Sequence, residues 1–344
     1  MHPFDPRTAE LATCFACPKL CRFACPVAEA EGRETSTPWA LMTRTEHVRA
    51  GRVPLDAGTA EIWEHCTGCG RCTANCRHRV DVAGTLALAR AEAVRAGLAS
   101  PALHAWAEEA PTENPAVRAL PEGGPVLLLP GHADAESVAA AVRLLSAVGL
   151  ERPGRPLRGF ATSGVRWLAA GEPERWDVER QRAERALVGV RTLICLEPAD
   201  ARALRPLAPE VVTTLPEALG ARRTSLLPRL RKLVPGPALY LDDCQLGRGL
   251  GVYEPPRTLL AAAVGEVVEA TMNREQGGCC GAGGGFVRTR PADAAAVARE
   301  SAADAPEVPI VMASPVCAAH LRASLGERPV FDWAVFLARA LTHA

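Results

Sequence analysis

Cys66, Cys69 and Cys72 stand three residues apart and Cys76 follows four later, a C-x2-C-x2-C-x3-C run. Three thiolates at successive three-residue steps let one tight loop reach three irons of a [4Fe-4S] cube. The fourth cysteine lies too far round the loop to join them, and in two-cluster ferredoxins it ligates the other cube. The matching half is present at Cys14, Cys17, Cys21 and Cys25, with Pro26 next. The spacing therefore assigns Cys14, Cys17, Cys21 and Cys76 to one cube and Cys66, Cys69, Cys72 and Cys25 to a second. Two irregularities stand out, neither of which removes a ligand. One extra residue separates Cys17 from Cys21, and Arg77 follows Cys76 where proline is usual.

Other uses of these thiols fit less well. Zinc takes four ligands in tetrahedral geometry and has no use for four cysteines packed into one short run. Structural disulfides need an oxidising compartment, and the first seven residues have neither the basic start nor the apolar core of a signal peptide. The 39 basic and 39 acidic residues cancel, which argues against nucleic acid or an anionic membrane surface as partner. No apolar run approaches the ~20 residues of a spanning helix. A cytoplasmic protein is expected, peripheral at the inner face of the membrane if a partner docks it there.

The chain of 344 residues, 48% of them hydrophobic, has material for more than one core. Helical patterns at 39–50, 58–65 and 81–97 predict a mostly α-helical dicluster domain over 1–100. A Pro-, Glu- and Gly-rich stretch over 101–124 reads as a linker. Beyond it the sequence repeats. Residues 125–132 align with 237–244, each an apolar strand running into a turn, and 193–198 align with 310–315, a buried strand leading into a helix. With helices expected at 134–148 and 292–303, the repeat predicts two related α/β halves, 125–234 and 235–344. Each would hold a small parallel sheet flanked by helices.

Only the second half carries a thiol set: Cys244, the adjacent pair Cys279 and Cys280, and Cys317, with His320 three residues on. The aligned positions of the first half are His132, Thr162, Ser163, Asp200 and Ala203, so that half is expected to be a scaffold without a cluster. Cys195 aligns with Met312 inside an apolar strand and reads as a core thiol. Gly277, Gly278, Gly281, Gly283, Gly284 and Gly285 would let backbone press on a cluster sulfide. No run there fits a dinucleotide G-x-G-x-x-G. His320 reads either as a ligand or as a surface histidine, and Arg248 either as an offset to cluster charge or as a solvated side chain.

Cys244, the Gly278-Cys279-Cys280-Gly281 element and Cys317 resemble the CCG cysteine-rich domain. A dicluster ferredoxin followed by two CCG-type halves resembles the heterodisulfide reductase and glycolate oxidase iron–sulfur subunit family, which includes the anchor-side subunit of anaerobic glycerol-3-phosphate dehydrogenase. The resemblance implies an electron-transfer subunit beside a flavin-containing dehydrogenase. That partner would oxidise a 2-hydroxy acid such as glycolate or lactate, and a quinone or other acceptor would take the electrons. In the reductase branch it implies a third, non-cubane [4Fe-4S] cluster at Cys244, Cys279, Cys280, Cys317 and His320; the spacing is also compatible with a cubane or another metal. The alternative activity is direct disulfide or thiol reduction at that cluster. This chain departs from the reductase branch by having His320 at the closing position and only one complete thiol set.

Overall fold

The computed structural model describes residues 4–111, 113–150, 153–156 and 159–342. The first three residues of the N-terminal stretch and Thr112 of the expected linker lie outside them. The chain separates into two compact units, one of Met1–Glu109, Arg166–Trp176 and Glu275–Ala303, the other of Ala110–Val165, Asp177–Arg274 and Asp304–Ala344.

The first unit is helical. Its longer helices are Thr8–Phe15, Pro38–Arg49, Val82–Arg95 and Pro101–Glu108. Thr37 Oγ1 accepts from Ala40 N at 3.3 Å and Asp81 Oδ1 from Gly84 N at 2.9 Å, so the second and third begin on ordinary side-chain caps. The first three bury Leu11, Leu41, Met42, Leu86 and Ala89 in one core with Trp63, which follows helix Ala57–Ile62, and Cys14, Cys66, Cys72 and Cys76 are packed against it. Fully burying a large apolar side chain contributes about 1.5–3 kcal/mol. The cysteine loops are thus anchored to a buried core of this unit.

The expected linker begins too early. Pro101–Glu108 is a helix that buries Leu103, Trp106 and Ala107, and Ser100 Oγ caps it by accepting from Ala102 N at 3.2 Å. Pro101 ends nothing, because proline at the first helical position lacks only an N–H that would have had no partner inside the helix.

The second unit holds two parallel sheets. In the first, β1 (Val126–Leu129), β2 (Thr192–Cys195) and β3 (Val212–Thr214) run in the order β1-β2-β3. In the second, β4 (Val234–Leu241), β5 (Val264–Glu269), β6 (Ile310–Met312) and β7 (Val330–Asp332) run β5-β4-β6-β7. The internal repeat is visible in the pairing: β1-β2-β3 corresponds to β4-β6-β7. On the β1 edge corresponding to β5, the first half has, among the described residues, isolated parallel bridges between Leu127 and Gly154 and between Glu122 and Arg155. β1, β2, β6 and the second half of β4 are buried apolar runs, as expected where helices cover both faces of a parallel sheet, whereas the edge strand β5 exposes Gly265 and Glu266. Alternation of buried and exposed positions is absent from β1, where Leu127, Leu128 and Leu129 are each 2% exposed or less.

The boundary at 235 also needs correction, since the segment Glu275–Ala303 packs with the helical unit and leaves the rest of the second half in the other. Its glycines explain the placement. A Cβ on Gly283 would lie 2.4 Å from the Thr67 carbonyl oxygen, and one on Gly284 2.3 Å from that of Cys66. These glycines press against protein backbone, so a reason for them exists without any sulfide contact.

Candidate iron–sulfur sites

The first cysteine group is built by the end of helix Thr8–Phe15, the loop that follows it, and the turn after residues 71–74. Lys19 sits in the left-handed region at φ 68°, which absorbs the extra residue between Cys17 and Cys21. Its ammonium lies 4.0 Å from the centre of the Trp39 ring, and the Trp39 backbone N–H in turn bonds Cys21. Burial pushes the Cys14 thiol up to about 12, and the neighbouring Cys21, Cys76 and Cys17, then Glu10, contribute to the same rise. The four thiols assigned to the first cube are therefore electrostatic neighbours.

The second group lines a cavity whose walls include Cys25, Cys66, Cys69 and Cys72 together with Val27, Leu41 and Val82. Gly68 and Gly70, at φ 70° and 73°, turn the chain between successive cysteines. Cys25 is the residue before helix Pro26–Glu31, with Pro26 in its first turn. Burial drives the Cys25 thiol upward, backbone N–H groups of Ala28 and Val27 pull it back, and Cys69 and Cys66 raise it. Burial likewise raises Cys72, followed by Cys69, Cys66 and Cys25. Thiolates that repel one another in an apolar pocket are a donor set suited to irons, whose positive charge would offset them. Among the described residues no three His, Cys, Asp or Glu side chains are grouped tightly enough for a single metal ion.

The CCG residues divide between the units. Cys279 and Cys280 are buried in the first, where Thr67 Oγ1 lies 3.5 Å from Cys279 Sγ and Cys66 feels Cys279 electrostatically. Cys244 follows β4, and Cys317 lies in the first turn of helix Pro315–Ser324 after β6, so both stand at C-terminal ends of adjacent strands in the second unit. Cys317 Sγ donates to Asp243 Oδ2 at 3.3 Å. His320 is half-buried one helical turn beyond Cys317.

In the first half, Ser163 N and Oγ both donate to Asp200 Oδ1, at 2.8 and 2.6 Å. The two positions aligned with Cys280 and Cys317 are thus satisfied by each other. Cys195 is a buried core thiol in β2, its thiol raised by burial.

Sequence reasoning missed Arg90, Glu197 and Asp243. Glu197 is buried and holds the start of the Cys317 helix: Oε2 accepts from Ser314 Oγ at 2.9 Å and Oε1 from Val316 N at 3.2 Å. Burial, then Asp200, push its carboxyl from the ordinary 4.5 up to about 8. The folded protein therefore keeps a proton that the unfolded chain releases near 4.5. Stability from this group is full below about pH 4.5 and is lost as pH rises through about 8. The expected result is that the urea midpoint of the wild type falls between about pH 5 and pH 8.5 by more than that of Glu197→Gln. Equal falls would contradict it.

The matches to known proteins agree with this geometry. Residues 10–80 match a 4Fe-4S dicluster domain, and residues 238–322 match a cysteine-rich domain of the CCG type. The chain is therefore an iron–sulfur protein that joins a dicluster domain to a CCG domain. Relatives that it matches over short stretches are named as oxidoreductases or reductases. One is an EtfAB:quinone oxidoreductase of Syntrophomonas wolfei, 56% identical over 46 residues, 13% of this chain and 6% of the relative. Another is the probable iron-sulfur-binding oxidoreductase FadF of Bacillus subtilis, 51% identical over 49 residues, 14% of this chain and 7% of the relative. A third is a component of the dihydromethanophenazine:CoB--CoM heterodisulfide reductase of Methanosarcina acetivorans, 40% identical over 79 residues, 23% of this chain and 19% of the relative. The chain thus matches less than a fifth of the length of each of these relatives. No solved structure matches it significantly. Among the described residues no helix is long and apolar enough to cross a membrane.

Proposed function

We propose that the protein is an electron-transfer subunit that accepts electrons from a flavin-dependent dehydrogenase, of a 2-hydroxy acid or similar metabolite, and delivers them to a quinone or other acceptor. The observation that carries this reading is the grouping of the thiols: Cys14 has Cys21, Cys76 and Cys17 as its neighbours, and Cys72 has Cys69, Cys66 and Cys25 ahead of Cys21. When bound, two [4Fe-4S] clusters supply one-electron chemistry at these thiols. The chain's own contribution is to hold the thiols, exclude water from the second group with Val27, Leu41 and Val82, and orient Cys25 through the N–H groups that follow it. The CCG match supports an additional iron–sulfur cluster in the chain. Phe23, 82% exposed between Cys21 and Cys25, supports a partner subunit covering that edge.

A second reading, direct reduction of a disulfide to two thiols, is favoured by the buried Cys279 and Cys280 beside Thr67. One experiment separates the two. The anaerobic holoprotein, reduced by a flavin-dependent 2-hydroxy acid dehydrogenase and its substrate, is mixed either with a short-chain quinone or with a small disulfide. The first reading expects quinol and no new thiol; thiol release without quinol would replace it with the second.

A further inference from the structure

Arg90 stands in the middle of helix Val82–Arg95 and is 5% exposed. Nε donates to the Trp63 carbonyl at 3.0 Å and Nη2 to the Cys66 carbonyl at 2.8 Å. Nη1 donates to the Ala169 carbonyl at 2.8 Å and the Gly284 carbonyl at 3.1 Å. All four acceptors are backbone carbonyls, which satisfy the N–H groups and carry no net charge. The anionic groups that this guanidinium feels are Cys66 and Glu64. Glu64 is itself buried, and burial favours its neutral form. A charge that cannot be lost at physiological pH is thus fixed beside Cys66 in a low-dielectric setting.

The first thiol group differs: no cation appears among the main influences on the Cys14 thiol. Its nearby cations Lys19 and Arg22 have side chains 39% and 52% exposed, and both pair with Glu34. Solvent and salt screen such charges. Cys14 also feels the carboxylate of Glu10.

We propose that Arg90 sets the reduction potential of the cube held by Cys25, Cys66, Cys69 and Cys72, making it the higher of the two. This inference rests on the electron-transfer reading above. A nearby cation stabilises the form carrying one more electron. One electron supplied by the dehydrogenase then leaves the Cys14 site, oxidising it by one, and reduces the Cys66 site by one, with no proton moved. The same guanidinium ties the Cys66 carbonyl to that of Gly284, so the favoured resting place of the electron is held beside the loop bearing Cys279.

The test is an anaerobic redox titration of the full-length holoprotein followed by electron paramagnetic resonance. Cys14→Ser identifies the signal of the first cube. In the wild type the signal insensitive to that change should titrate at the higher potential. In Arg90→Gln the share of electrons on the second cube should drop about tenfold or more, about 59 mV for a one-electron couple, with the first cube unmoved. Arg90→Lys, which keeps the charge, should retain most of the wild-type potential. The proposal is overturned if the second cube is the lower in the wild type, or if Arg90→Gln leaves both potentials unchanged. Should Arg90→Gln fail to hold its second cube, a tenfold shift in intact Arg90→Lys would overturn it, because the hydrogen bonds and not the charge would then be responsible. A wild-type protein with no cubes would instead refute the underlying reading.

Discussion

Cys25→Ser is expected to destroy the cube of Cys66, Cys69 and Cys72 and leave the other intact, although Cys25 follows Cys21 in the chain. Cys76→Ser should do the reverse. The basis is the cross-over in the structure: Cys25 has Cys69 and Cys66 as thiol neighbours, whereas Cys14 has Cys76 among its own. A protein with two cubes carries about eight irons in this domain, and each variant should lose about four. Iron and sulfide analysis with electron paramagnetic resonance reads the effect. If Cys25→Ser removed the same signal as Cys14→Ser, the interleaved assignment would be wrong.

A large stability effect is expected from Gly284→Ala. The new Cβ would lie 2.3 Å from the Cys66 carbonyl oxygen and 3.0 Å from Thr67 Cα, at a residue whose φ is +63°. Both neighbours are backbone and cannot swing aside. Overpacking and the left-handed conformation together should cost about 2–5 kcal/mol, seen as a lower urea midpoint. The damage should reach the second cube first, since Cys66 must move. Gly97→Ala is the control, because its φ is +68° but nothing lies within 4 Å of the added carbon. It should cost only about 1–2 kcal/mol. Equal losses in the two variants would show that the contact with the Cys66 loop is not tight.

The contrast between these positions shows what the sequence carries. Ligand spacing is a local property of a short loop, so the two cysteine runs could be read directly, as could the apolar strands β1, β2, β4 and β6. The repeat was legible because each strand ends in its own turn and helix start. What was not legible depends on contacts between distant segments. Gly283 and Gly284 look like cluster glycines in sequence, yet they meet Thr67 and Cys66, more than two hundred residues earlier. Arg90 looks like one charge on an Ala-rich helix, and only its carbonyl partners on three other segments show why it is buried. Glu197 gives no local sign of burial, because its partners Ser314 and Val316 belong to the other half of the repeat. Pro101 misled for a different reason: the same residue begins helices and ends them, and position relative to Ser100 decides which.

Whether eight N-terminal thiols hold two [4Fe-4S] cubes for electron transfer is measured most directly by metal and acid-labile sulfide analysis. The sample is the anaerobically reconstituted full-length Cys279→Ser, Cys280→Ser double variant, with its visible absorption followed on reduction. About eight irons and eight sulfides per chain, bleaching reversibly with reductant, are the predicted result. Stoichiometric zinc with no sulfide, and no change on reduction, would contradict it.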